Sequence, residues 1–377
     1  MDIGIPKEAR PREHRVALSP SGVRTLVQRG HRVWVEKDAG LAAGHPTADY
    51  QAVGAEIAYS RHEVLARGDL VASVFAPDPP EFGELRRGQV VFGFWGLPAA
   101  RPEEFRALAE SEVTAVGLEA IEDDLGRAPV RTSMSEIAGS LAVVLGSGLL
   151  LNDFGGKGIL LGGVPGAPPA NFVILGAGVL GRAAARAALG LGAHVTLLDV
   201  SVGHLREASE RLPAGVTTML ATQPNIEKAL GFADLVLGAV AVHAQRAPVL
   251  VTRPMLRLLK PRTVVVDLSI DMGGCFETSR PTTFTSPTYE VDGILHMCIP
   301  NLPSGAARTA TLALTNATLP YLLAVADGGI DAALGDHPEL VRGTYLYRGR
   351  CASESLARIF QVDWSAPAPA GGAGAGR

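Results

Sequence analysis

Residues 171–199, NFVILGAGVLGRAAARAALGLGAHVTLLD, decide the fold. A short apolar run (FVIL) meets Gly176-Ala177-Gly178-Val179-Leu180-Gly181, a helical stretch runs from Val179 to Leu191, and a second apolar run (HVTLL) ends on Asp199. That is a complete βαβ unit carrying a GxGxxG turn, a weak signal in isolation and a strong one between a strand and a helix. Gly176 permits the tight turn, Gly178 lets a pyrophosphate approach the backbone, and Gly181 lets the helix pack closely on the strand. Val179 and Leu180 open the helix whose N-terminus would face the anion. Asp199 falls close to the ~20-residue offset at which a carboxylate receives a ribose 2′-hydroxyl. NAD is therefore expected over NADP, whose 2′-phosphate that carboxylate would repel. GGKG at 155–158 lacks the GxxxxGK[ST] spacing of a rival phosphate loop.

Before this unit, β-like and helix-like runs alternate: residues 2–5, 20–29 and 31–36, with further pairs up to 113–118, a rhythm that predicts a parallel sheet. A helix is expected from Ser135 to Leu151, with Ser135 as its N-cap, leading into the connection GGKGILLGGVPGAPPA at 155–170. After it, strands are expected at 235–240, 264–267 and 294–299. The apolar helical run TATLALTNATLPYLLAVAD at 309–327 should pack back onto the first segment. From Ala366 the tail APAPAGGAGAGR is low in complexity, and 366–377 is expected to be disordered.

At 377 residues the chain has room for two domains, and 47% hydrophobic residues with a formal net charge of -4 place it in the globular class. Lys and Arg number 34 against 38 Asp and Glu, so no basic excess invites nucleic acid. Cys275, Cys298 and Cys351 show no CxxC spacing, which argues against a disulfide framework and a zinc site. No metal site is expected. MDIGIPKEAR has no apolar h-region, and the longest apolar stretch, 140–152, falls short of the ~20 residues that span a bilayer. The expectation is a cytoplasmic protein without a membrane partner.

Two further segments fall where strand ends should face a crevice: Gly238-Ala239-Val240 after DLVL, and Asp271 in VVVDLSIDMGGC. On position alone, Asp271 reads equally as a proton acceptor beside a nicotinamide and as a loop aspartate steadying the Gly273-Gly274 turn. Asn301, after ILHMCI, carries the same two readings.

Across nearly its whole length the chain resembles the alanine dehydrogenase and transhydrogenase α-subunit family, and within it the alanine dehydrogenase branch. The resemblance runs through GIPKEARPREHRVALSPSGV (4–23), MSEIAG (134–139), GGVPG (162–166), GAGVLG (176–181), VVVDLSIDMGGCFETSRPTT (264–283) and ALTNATLPYLL (313–323). It implies an α/β protein of two Rossmann-like domains, with an NAD-binding domain (131–309) inserted into a discontinuous substrate domain (1–130 plus 310–365). It also implies NAD bound in a cleft, a homo-oligomer, and interconversion of L-alanine with pyruvate and ammonia. By the same resemblance Arg15 is the anchor of the substrate carboxylate, Asp271 and Asn301 are active-site residues, and Ser135 contacts the cofactor. A bidentate guanidinium suits a carboxylate.

The departures from the family matter as much. Where its members carry a substrate lysine in a KVKEP-like segment, this chain reads SVFAP, with Phe75 at that position and Ser73 at the preceding lysine. Where they carry a histidine in a segment like FLHLAA, it reads FWGLPAA, with Gly96. Phe75, Trp95 and Gly96 thus make the expected pocket larger and less polar. His14 and His296 are weak substitutes, since a lone histidine is more often structural. Oxidative deamination needs acid–base groups worth ~10²–10⁴-fold each, whereas reduction of a formed imine asks chiefly for hydride delivery and a carboxylate anchor. The first expectation is therefore an NAD-dependent oxidoreductase acting on an amino, imino or 2-oxo acid other than alanine. True L-alanine dehydrogenase comes second, and an NAD-retaining cyclodeaminase-type lyase without net redox third. A hydride-exchanging assembly subunit and a silent NAD-binding protein rank below these.

Overall fold

Strands in the computed structural model begin at the second residue, and the structure describes residues 1–241 and 246–367. Of the expected disordered tail, residues 368–377 lie outside the described residues. The chain forms two compact units, one of Met1–Met134 with Ala307–Arg377 and one of Ser135–Ala306.

In the first unit the chain lays down β1 (Asp2–Ile5), β2 (Arg32–Glu36), β3 (Glu56–Ala58), β4 (Leu70–Phe75), β5 (Val90–Phe94) and β6 (Thr114–Gly117), with helices such as Pro20–Gln28, Arg61–Arg67 and Pro102–Glu110 between them. The second unit supplies β7 (Asn171–Leu175), β8 (His194–Asp199), β9 (Val216–Leu220), β10 (Leu235–Gly238), β11 (Val264–Asp267), β12 (Tyr289–Val291) and β13 (Ile294–Met297). The chain then returns to the first unit with β14 (Thr344–Tyr347) and β15 (Arg350–Cys351).

The two sheets repeat one plan. The first runs β15-β14-β6-β5-β4-β1-β2-β3 and the second β12-β13-β11-β10-β7-β8-β9. Among the described residues every pairing between these strands is parallel except β6–β14, β14–β15 and β12–β13. In each sheet the chain winds outward in one direction for three strands, then returns to the centre and winds the other way. The reversal lies between β1 and β4 in the first unit and between β7 and β10 in the second. Helices cover both faces of such sheets, and ligands bind outside the carboxyl ends of the strands at the reversal.

Burial follows the period-2 rule within the second sheet. Phe172, Ile174, Leu235, Leu237, Val264 and Val266 face one apolar cluster, while Val173, Leu175, Val236 and Val265 face another. Two expected strands are shorter than their sequence pattern. β10 ends at Gly238 and β13 at Met297, so Ala239, Val240, Cys298 and Ile299 leave the ladder.

The helix expected from Ser135 begins earlier, at Pro129, and runs to Leu149. Proline is at home in a first helical turn, and Ser135 lies inside the helix, so it is not an N-cap. The long helix Ala307–Asp336 contains Pro320 and breaks at Gly329. By length and composition alone the stretch Leu302–Asp336 matches a membrane span, and half of its most apolar window is buried inside the protein.

Candidate functional site

The second unit's reversal point is built from the quoted motif. Gly176 has φ 111°, and a Cβ on it would strike the carbonyl oxygen of Ala239, the residue that follows β10. The turn and the neighbouring strand end therefore approach too closely for any side chain. A Cβ on Gly181 would strike the Gly176 oxygen, which is the close helix-to-turn packing expected of it. At Gly178, the N-cap of helix Val179–Gly190, a Cβ would have nothing within 4 Å, so backbone and first-turn N–H groups are open to an anion. Val179 and Leu180 open this helix and are half-buried.

Asp199 closes β8 beside that turn. Its Oδ2 accepts from the Ala177 N–H at 2.7 Å and its Oδ1 from the Ser201 N–H at 2.7 Å. The carboxylate thus fixes the glycine turn and keeps acceptor capacity for a ribose hydroxyl. On the far side of the reversal from Asp199, beyond the neighbouring strands β10 and β11, Val240 N–H donates to Ser269 Oγ at 3.0 Å. Ser135 is half-buried in its helix. The donor set suits a dinucleotide: glycine backbone at a helix N-terminus for the pyrophosphate, and an acidic strand end for the ribose.

A carboxylate that sequence reasoning passed over organises the next loop. Asp267, fully buried, ends β11 and accepts from Ser269 N–H at 2.9 Å, Cys275 N–H at 2.8 Å and Ser279 Oγ–H at 2.6 Å. A Cβ on Gly238 would lie 2.7 Å from its Oδ1 and 2.5 Å from the Cys275 sulfur, so glycine makes room for this knot. The knot shapes the turn Leu268–Met272 that presents Asp271. Asp271 is exposed, and its Oδ1 accepts from the Asn301 N–H at 3.2 Å. Asn301 sits at φ 50°, a left-handed conformation that asparagine tolerates. The fold thus brings together two residues that the sequence offered separately.

His296 is buried, stacked on Tyr289, and has one ring nitrogen 3.0 Å from the Ile294 oxygen and the other 2.9 Å from Thr278 Oγ1. Burial lowers its pKa, and these contacts make it structural. Among the described residues no group of three or more His, Cys, Asp or Glu is placed to hold a metal ion.

In the first unit, Arg15 lies in an irregular segment and is only 2% exposed. Its Nε donates to Glu13 Oε1 at 2.8 Å and its Nη2 to Glu13 Oε2 at 2.7 Å, while Nη1 points at the Met134 sulfur, 3.3 Å away. His14 beside it is exposed. Phe75 ends β4 at the reversal point. Its ring carries the Arg10 guanidinium carbon 4.0 Å from the centroid and that of Arg15 at 5.6 Å, with Phe94 tilted at 6.3 Å. Glu8, just past β1, accepts from the Val74 N–H at 2.7 Å and the Phe75 N–H at 3.1 Å, tying the two strand ends together. Burial pushes its carboxyl up to about 7 against the pull of those two N–H donors. Ser73 is buried and donates to the Phe92 carbonyl at 3.2 Å.

Trp95 belongs to an apolar core with Phe82, Leu97 and Phe105, its ring 6.4 Å from Phe82 and its indole N–H without a partner. Gly96 is exposed at φ 61°, a left-handed position where any side chain strains the backbone. Its N–H donates to Glu119 Oε1 at 2.8 Å, and Tyr345 Oη–H donates to the same oxygen at 3.2 Å. Burial raises the pKa of the Glu119 carboxyl. The sequence reading assigned no role to Glu8, Arg10, Glu13 or Glu119; the contacts of Glu8, Arg10 and Glu119 join residues far apart along the chain.

Comparison with known proteins agrees with this architecture. Residues 4–138 match the model of the alanine dehydrogenase/PNT N-terminal domain, and 142–354 that of the alanine dehydrogenase/PNT C-terminal domain. An alanine dehydrogenase of Halomonas elongata is 43% identical over 97% of this chain and 98% of its own length. Among solved structures, an L-alanine dehydrogenase superposes with a TM-score of 0.91 at 40% identity, covering 96% of this chain and 99% of that one. A transhydrogenase from Sinorhizobium meliloti gives 0.80 at 26% identity, with 94% and 100% covered.

Proposed function

We propose, from the premise that this chain belongs to the alanine dehydrogenase/PNT family, that it acts on an amino, imino or 2-oxo acid other than alanine. As a member of that family it is an NAD-dependent oxidoreductase working on a CH–NH2 group. NAD supplies hydride transfer when bound. Gly176, Gly178, Gly181 and Asp199 would hold it, with Ser135, Val179, Leu180, Gly238, Ala239 and Val240 around it.

In this reading Arg15 binds the substrate carboxylate, oriented by its bidentate pair with Glu13. Asp271, steadied by the Asn301 N–H, holds the proton that leaves or reaches the substrate nitrogen. The observation that carries the proposal is the Phe75 ring. Its apolar face, with guanidiniums near it, lies where the resemblance implies a lysine ammonium, so the groups that manage a small keto acid in the family differ here. Gly96, exposed and without a side chain, offers no acid or base where the family has a histidine. We also assign a homo-oligomeric state and a cytoplasmic location to the protein.

L-Alanine dehydrogenase is the second reading, favoured by the name of the relative at 43% identity. NADH oxidation decides between them, followed with pyruvate plus ammonia, with bulkier 2-oxo acids plus ammonia or amines, and with cyclic imino acids. A higher kcat/KM on an acid other than pyruvate is the expected result. Pyruvate with ammonia as the best pair would establish the alanine reading instead.

A further inference from the structure

The first unit has its own reversal point, between β1 and β4, and two guanidiniums gather there around Phe75. Arg10 follows β1, Phe75 ends β4, and Glu8 binds the β4 backbone to hold the two strand ends together. Phe75 carries two guanidiniums within cation–π range, Arg10 at 4.0 Å and Arg15 at 5.6 Å from its centroid. Each already grips a carboxylate: Arg15 that of Glu13, and Arg10 that of Asp78 at 3.0 Å.

The two grips differ in kind. Arg15 and Glu13 have side chains only 2% and 1% exposed, so their pair is a fixed part of the fold. Arg10 and Asp78 are 40% and 47% exposed. Exposed pairs of that sort contribute little to stability, so a ligand carboxylate can replace Asp78 at little cost. Stacking on Phe75 meanwhile limits the freedom of the Arg10 guanidinium and keeps its planar fork presented for a bidentate contact.

We propose that Arg10 is a specificity-determining residue, binding a second carboxylate, so that the substrate is a dicarboxylic 2-oxo, amino or imino acid. The proposal rests on the functional reading above, in which Arg15 holds the carboxylate beside the reacting carbon. Phe75 then serves as the platform that sets the spacing of the two guanidiniums, and Asp78 as the resident anion that the distal carboxylate displaces.

Calorimetry on the full-length protein saturated with NADH tests this without turnover. Succinate and glutarate are titrated against butyrate and valerate in the wild type, Arg10→Gln and Asp78→Asn. In the wild type the dicarboxylates should bind at least about tenfold more tightly than the monocarboxylates of equal length. Arg10→Gln should collapse that ratio towards one, and Asp78→Asn, which removes the competing anion, should raise it. A structural ion pair would move both variants the same way. A wild-type ratio near one, or parallel changes in the two variants, overturns the proposal.

In parallel, kcat/KM with NADH and ammonia is compared for oxaloacetate against 2-oxobutyrate and for 2-oxoglutarate against 2-oxovalerate. Dicarboxylates should lead, and the lead should vanish in Arg10→Gln. If no 2-oxo acid turns over in any variant, the functional reading fails, while the calorimetric ratio still decides the role of Arg10.

Discussion

Glu8 shows how one residue couples the fold to pH. Its carboxyl sits between strand ends, accepting two backbone N–H groups, yet burial outweighs them and pushes its pKa from 4.5 to about 7. An acid whose pKa is higher folded than unfolded binds more protons in the native state between those values. The contribution of Glu8 to stability is therefore full below about pH 4.5 and is lost as pH rises through 7, because the native state must then ionise a buried group. Glu8→Gln removes that dependence. In urea unfolding from pH 5 to pH 8, the variant should gain about 1–3 kcal/mol relative to the wild type. A difference between the two proteins that stays constant across this range would show that Glu8 does not titrate there. At the same scale, Phe75 and Gly96 were legible as departures from a pattern, but their surroundings were not. Neither the Arg10 stack on Phe75 nor the Gly96 N–H bond to Glu119 has a local sequence signal.

Among the elements, helix Val179–Gly190 was readable because its start and its alanine-rich face are both local properties. The helix Pro129–Leu149 was misread at its start. Ser135 looked like a cap, whereas the fixed φ of Pro129 suits a first helical turn. What Gly139 does within it is set by a neighbour far along the chain. A Cβ there would strike the Leu180 carbonyl oxygen and lie 2.9 Å from the Ala184 nitrogen and 3.0 Å from the Ala183 Cβ. The two helices touch backbone to backbone, and the second carries the first-turn N–H groups assigned to the pyrophosphate. Gly139→Leu should therefore cost at least about 1–3 kcal/mol through overpacking. It should also weaken NADH binding, because the cofactor helix must shift. Thermal unfolding and NADH titration check both, and unchanged values in each would mean that the helices separate freely at that point. Strand ends follow the same logic. Ala239 and Val240 continue an apolar pattern but leave the sheet, since the Gly176 turn comes against Ala239 and Val240 bonds to Ser269.

For the whole molecule, the repeated strand order is the governing feature. Each unit reverses its winding once, and the groups with chemistry gather at or beside the strand ends flanking that reversal: Gly176 and Ala239, with Asp199 on the adjoining strand, in one, and Glu8, Arg10 and Phe75 in the other. Cofactor binding should therefore register first at one reversal. At free NADH of about 100 times its Kd, linkage adds about 2.7 kcal/mol to the stability of the native state. Hydrogen exchange under those conditions should slow most in peptides covering 175–183 and 196–201. Protection absent from both would remove the glycine turn and Asp199 from the cofactor site.

The sequence alone determined the nucleotide-binding unit, its NAD preference as an expectation, the parallel sheets and the family, because strand and helix periods, turn glycines and motif spacings are written within some thirty residues. Tertiary structure alone decided that Asn301 steadies Asp271, that the buried Asp267 shapes the loop that carries Asp271, and that Arg10 and Arg15 both come up against the Phe75 ring. The contacts of Asp271 with Asn301 and of the arginines with Phe75 join segments that lie far apart along the chain. They depend on where the sheet reverses its winding, and no local period encodes that.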